Sequence, residues 1–249
     1  MKTRLLFTAL LLAASAARAD SSASHENALK ALAAKDYTTA LSEFEVALSS
    51  DPDSIQYASE YRQAAIQANA YDRCIKFFEK LVADNPKSSN AELNFGFAYV
   101  DKIPAAGTIT QVILANTALT HFTKSIDLKP SWIGYYTRGN SYLFWPKIFG
   151  RTPLGVADLE QAMKLQKQDA GKKVYFVRAY VSLGDAYWKL DDLPKAREIW
   201  KEGLTLFPDN SQLKNRLSKD GDDLKTYIED VLDPNKRVDT NLQEIWTDK

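Results

Sequence analysis

Cysteine occurs once in this 249-residue chain, at Cys74, so no disulfide can form within it and its stability must come from apolar burial. Histidine occurs twice, at His25 and His121, and neither stands at metal-ligand spacing from a cysteine or a carboxylate cluster. No metal and no cofactor is expected. After the first fourteen residues there is no long apolar run, so no membrane-spanning helix is expected, and no cationic amphipathic stretch suited to a bilayer surface is present. Charge of one sign is also missing: 32 Lys and Arg face 32 Asp and Glu. That balance argues against a nucleic-acid ligand, which needs a dense basic face. No strand pattern precedes a glycine-rich phosphate loop.

The N-terminus reads as an export signal. Lys2 and Arg4 give a positive start, Leu5 to Ala14 a short apolar run, and Ala17-Arg18-Ala19 a small-x-small cleavage site. Cleavage near Ala19 removes three of the 32 basic residues and no acidic one, leaving 29 against 32, a net charge of −3. The expected mature chain starts at Asp20 and is periplasmic or secreted, without a cysteine to carry a lipid.

The rest of the chain is dominated by a period. Ala40, Phe44, Ala47 and Pro52 stand at offsets 0, 4, 7 and 12, and Cys74, Phe78, Leu81 and Pro86 repeat them 34 residues later. Ala118, Phe122, Ser125 and Pro130 repeat the spacing, as do Ala196, Trp200, Gly203 and Pro208, with a weaker copy in Gly155, Leu159 and Ala162. A second motif, x-Gly-x-x-Tyr, recurs in Phe95-Gly96-Phe97-Ala98-Tyr99, Arg138-Gly139-Asn140-Ser141-Tyr142 and Leu183-Gly184-Asp185-Ala186-Tyr187. Apolar residues at i, i+3, i+4 and i+7 put one stripe of each helix in a shared core. The small residue lets two helices approach, and the tyrosine is expected to fill the gap toward the next unit. Lys35-Asp36-Tyr37, Asn69-Ala70-Tyr71 and Asp191-Asp192-Leu193 read as tight turns, and each proline ends a helix.

These motifs, over residues 21–210, resemble the tetratricopeptide-repeat family. The resemblance implies an all-α fold, a right-handed superhelix of stacked helical hairpins with a concave face lined by the first helix of each pair. The expected organisation is a signal peptide at 1–19, five units over 20–209, capping helices over 210–233 and a tail over 234–249. Leu213, Leu217, Leu224, Tyr227, Ile228 and Val231 are expected to face inward in the cap. The tail, polar apart from Leu242, Ile245 and Trp246, either docks back or stays free. Insertions break the period at about 101–110, 145–153 and 170–176, and insertions on one face of a repeat array often mark its binding face.

Family geometry implies that Glu60, Gln63, Gln67, Asn94, Phe97, Asp101, Tyr136, Asn140, Phe144, Arg178, Asp185 and Trp188 line the groove. Asn94 matches the asparagine that chaperone-binding members use on a peptide carboxylate. The lysine and arginine of such a clamp are missing, and an extended peptide or a small polar ligand suits the groove better. The loop carrying Trp145, Phe149 and Arg151 offers residue types favoured at binding hot spots; the alternative is that Trp145 and Phe149 fold inward as a plug. His25 and His121 read as ordinary surface or helix-packing residues, Cys74 as a small buried one. Asp191-Asp192 and Asp222-Asp223 complement a turn and a helix start. The expected role is an exported, non-enzymatic scaffold for a protein or peptide partner, in assembly or maturation of an envelope complex. The alternative is a small-ligand-binding accessory protein of a solute transporter, and a third reading, a hydrolase built on Cys74, has only that residue behind it.

Overall fold

A computed structural model describes residues 21–171 and 173–247. The segment read as an export signal, 1–19, lies outside the described residues. All regular structure among them is helical: α1 (21–33), α2 (Tyr37–Ser50), α3 (Ile55–Gln67), α4 (Tyr71–Asp84), α5 (Ser89–Lys102), α6 (Thr108–Leu128), α7 (Trp132–Leu143), α8 (Thr152–Gln166), α9 (Val177–Lys189), α10 (Leu193–Leu206), α11 (Ser211–Leu217), α12 (Gly221–Val231) and α13 (Gln243–Thr247). The chain forms two compact units. One runs to Leu128 and includes Asp239–Trp246; the other is Lys129–Val238 together with Thr247.

In the first unit α1/α2, α3/α4 and α5/α6 are antiparallel pairs around Leu41, Phe44, Leu48, Tyr61, Phe78 and Phe95, all buried. In the second, α7/α8, α9/α10 and α11/α12 enclose Leu143, Leu159, Tyr180, Trp200, Leu213 and Ile228. The turns inside three pairs share one device. Lys35, Asn69 and Asp191 are left-handed, with φ of 60°, 53° and 64°. The next N–H of each reaches back to the helix, from Asp36, Ala70 and Asp192 to the carbonyls of Ala31, Ala65 and Tyr187, at 2.8–2.9 Å. Asp36 and Asp192 then cap the following helix by accepting from the N–H of Thr39 and Lys195.

The small residues of the motif set how closely each pair packs. A Cβ built on Gly184 would lie 2.1 Å from Trp200 Nε1, and one on Gly96 2.4 Å from Phe122 Cε1. Trp200 and Phe122 therefore fill the volume those two glycines leave open. Tyr99 and Tyr187 do not reach forward as expected. Tyr99 stacks on His121 of its own pair, and the Tyr187 hydroxyl donates to Glu160 of the preceding pair.

The breaks in the period are largely ordered. Within 101–110, Ile103–Ala105 is a 3₁₀ turn and Thr108 already starts α6, which is extended to 21 residues and leaves Ile109 and Ile113 exposed at its start. Lys147–Phe149 and Val174–Phe176 are 3₁₀ turns in the other two. In the cap, Leu213, Leu224 and Ile228 are buried and Leu217 and Tyr227 half-buried, but Val231 is 40% exposed at the end of α12.

Candidate functional site

In the first unit the side chains of α3 and α5 meet on an arginine. Arg62 lies on the same stripe of α3 as Ala58 and Ala65, and is fully buried. A charge there requires partners. Its Nε donates to Asn94 Oδ1 at 2.9 Å and its Nη1 to Asp101 Oδ2 at 2.8 Å. The guanidinium stands 4.7 Å from the Phe97 ring centre. Asn94, Phe97 and Asp101 recur at i, i+3 and i+7 of α5, so one helix face supplies all three.

This face is occupied. Residues 239–243 alternate between exposed and buried side chains, with Thr240 and Leu242 inward, the pattern of an extended segment. Arg62 Nη2 donates to the Thr240 carbonyl at 2.8 Å, and the Thr240 hydroxyl donates to Asp101 Oδ1 at 2.5 Å. Gln63 Nε2 donates to the same hydroxyl at 3.4 Å, and the Leu242 N–H to Ser59 Oγ at 3.3 Å. Of the two fates left open for the tail, docking is the one observed.

Four of the groove residues named for this unit, Gln63, Asn94, Phe97 and Asp101, are thus brought together. Glu60 instead bonds His25 and Gln56, while Gln67 is exposed at the end of α3. Repeat spacing alone did not single out Arg62 or Ser59. The signal for Arg62 was a charged residue on an otherwise small and apolar stripe. It supplies an arginine beside Asn94 after all, although it serves a main-chain carbonyl and Asp101 rather than a terminal carboxylate. His25 stacks on Tyr57, and His121 packs on both Phe95 and Tyr99 with Nδ1 2.6 Å from Glu92 Oε2. Cys74 is buried, and burial, with the Asp101 carboxylate adding, pushes its thiol well above the usual range. Among the described residues no group of three His, Cys, Asp or Glu is arranged to hold a metal, and no helix is long and apolar enough to cross a membrane.

In the second unit Tyr136 stacks on Trp132, and Asn140 accepts from the Ser182 hydroxyl at 2.8 Å. Phe144 and Trp188 line a cleft of about 720 Å³ with Lys147, Lys189, Asp191 and Lys225. Arg178 is half-buried on α9. Two expectations are corrected here. Asp185 is not offered to a ligand: it is buried, and accepts from Arg216 Nε and Nη2 of α11 at 2.5 and 2.6 Å. Trp145 is also buried, because Arg151 lies 3.6 Å over its ring and the Lys189 ammonium donates to its carbonyl at 2.7 Å. Burial and the nearby Lys147 hold that ammonium below its ordinary value. Phe149 packs edge-on against Trp145 yet stays 55% exposed, beside Ile148 at 90%.

Antiparallel helix pairs, with Gly96 under Phe122 and Gly184 under Trp200, define a helical-repeat protein. More narrowly, the chain carries tetratricopeptide repeats, and proteins built of these repeats bind other proteins. Tetratricopeptide repeat models match residues 31–93 and 177–210. Among solved structures it is similar to TTC0263, a thermophilic TPR protein in Thermus thermophilus, at 18% identity over 80% of this chain and 97% of that one, with a TM-score of 0.56. MamA residues 41 to the end from Desulfovibrio magneticus RS-1 is 14% identical over 77% and 97%, with a TM-score of 0.52. A further MamA structure is 16% identical over 81% and 96%, with a TM-score of 0.51. These likenesses concern the fold alone. No curated protein matches the chain by sequence.

Proposed function

We propose that this chain is an exported scaffold that docks a protein or peptide partner, in assembly or maturation of an envelope complex. The observation that carries the reading is the α3–α5 face, where Ser59, Arg62, Gln63 and Asp101 hold an extended segment partly through its main chain. Main-chain capture gives affinity for any extended peptide, and a side-chain pocket adds choice. The exposed pair Ile148 and Phe149 offers a second apolar contact. Export is supported by Lys2, Arg4, the apolar run after them and Ala17-Arg18-Ala19. N-terminal sequencing of the envelope fraction should find a mature chain starting at Asp20.

The test of docking is capture from envelope extract by the immobilised full chain and by Gln63→Arg, which places a long cation at the rim of the α3–α5 face. Saturable capture that the substitution abolishes supports the reading. Absence of any saturable partner, or capture indifferent to the substitution, contradicts it.

A second reading, carriage of a small solute as an accessory protein of a transporter, is favoured by the cleft beside Phe144 and Trp188, whose volume suits a small ligand. A metabolite that raises the melting temperature in proportion to the logarithm of its concentration would support it.

A further inference from the structure

The segment on the α3–α5 face belongs to the chain itself. Leu232 to Val238 follow the last residue of α12 and are largely exposed, and the hydrogen bonds of Asn235 in that stretch are local turns to Asp233. Thr240 and Leu242, by contrast, are each 3% exposed. What the face takes from them is limited: one carbonyl, one N–H, one hydroxyl and one aliphatic side chain. Asp239 and Gln243 point outward and Asn241 is half-exposed; Asn241 spends its own groups on turns, accepting from the Gln243 N–H. The hydroxyl is read in both directions, since it donates to Asp101 and accepts from Gln63. A serine would satisfy that arrangement and a valine would not. Release of the segment would return Arg62 and Asp101 to water as an ion pair and expose Leu242 with the half-buried Ile245 and Trp246 that follow it, none of which belongs to the core of the helix pairs.

We propose that Thr240-Asn241-Leu242 is a tethered occupant of the face, and that the partner competes for it with an extended segment carrying a hydroxyl residue two positions before an aliphatic one. The proposal rests on the reading that the α3–α5 face is the docking site, and adds both the chemistry of the ligand and a gate. A short tether holds its ligand at an effective concentration in the millimolar range. Free peptide therefore binds the intact chain weakly, and a partner succeeds by carrying additional contacts or by arriving when the tail is displaced.

The probe is a fluorescein-labelled synthetic peptide with the sequence of residues 237–245, titrated against the full chain and its Leu242→Asp variant, with helicity checked by circular dichroism. The expected result is binding to Leu242→Asp at least about tenfold tighter than to the unaltered chain. Replacing the threonine of the peptide by valine should weaken binding by about tenfold or more, because a hydrogen bond to a buried carboxylate is lost. Equal affinity for both proteins, or binding to neither, overturns the proposal. A tail exchanged between two copies would show as a doubled mass in light scattering, which also overturns the tether. Should Leu242→Asp lose its helicity, amide exchange of 239–246 in the unaltered chain decides: saturating unlabelled peptide must accelerate it, and unchanged exchange refutes the gate. If envelope capture is lost in Gln63→Arg while the peptide binds neither protein, the docking site stands and only the tether fails.

Discussion

Asp185 and Arg216 form a buried bidentate ion pair that ties α9 to the first cap helix, with N–O distances of 2.5 and 2.6 Å and side-chain exposures of 3% and 1%. Burial pushes the Asp185 carboxyl up, against the pull of the guanidinium. Removing one partner leaves the other charged, buried and alone, which costs several kcal/mol. Arg216→Met should therefore destabilise the chain by about 3–5 kcal/mol in urea unfolding. Asp185→Leu combined with Arg216→Met should recover most of that loss. Equal losses in the single and double variants would mean that packing, not charge, holds the cap.

Gly184→Ala should displace the Trp200 indole, since the added carbon would overlap Nε1 and Cδ1. A loss of about 1–3 kcal/mol and a changed tryptophan emission are expected. Gly107→Ala, where the added carbon meets nothing within 4 Å, should stay within about 0.5 kcal/mol of the parent.

Cys74 should resist thiol reagents in the folded protein at pH 8 and react at once in denaturant, because burial holds its thiol protonated. Its pKa is raised on folding, so the contribution is complete below the ordinary thiol value and is lost as pH rises above it. Cys74→Ala should flatten the alkaline fall in stability, and rapid labelling of the native protein would contradict the assignment.

The loop at 145–153 divides into a structural and an exposed half. Trp145→Ala removes a ring buried under Arg151 and should cost about 3–5 kcal/mol. Phe149→Ala should change stability by less than about 0.5 kcal/mol, since more than half the ring is already in water. If this loop contributes to docking, Phe149→Ala weakens envelope capture while leaving the melting curve in place.

The helix pairs were legible because each apolar stripe repeats at helical spacing and two of the motif glycines, Gly96 and Gly184, face a large residue of the partner helix, Phe122 and Trp200. What a single stripe does not tell is where a polar residue on it finds its partner. Asp185 sits among residues expected in the groove, and only the docking of α11 brings Arg216 to it. Arg62 resolves through Asp101, 39 positions on, and Thr240, 178 positions on, distances at which no local pattern constrains pairing. The stretch 101–110 contains Pro104 and Gly107 and reads as a loop, yet from Thr108 its residues propagate α6 backwards by helical hydrogen bonding. Trp145 carries no mark of its burial in sequence, because Arg151 and Lys189 cover it from two different elements.

The docking account can be tested at one position by a photo-crosslinking side chain in place of Gln63, with Lys76 on the exposed side of α4 as the control. In the purified chain the probe at 63 should link to residues 239–246, and in envelope extract to a partner protein at the expense of that internal link. Products at 63 no different from those at 76 would contradict the claim that the α3–α5 face is where this protein binds.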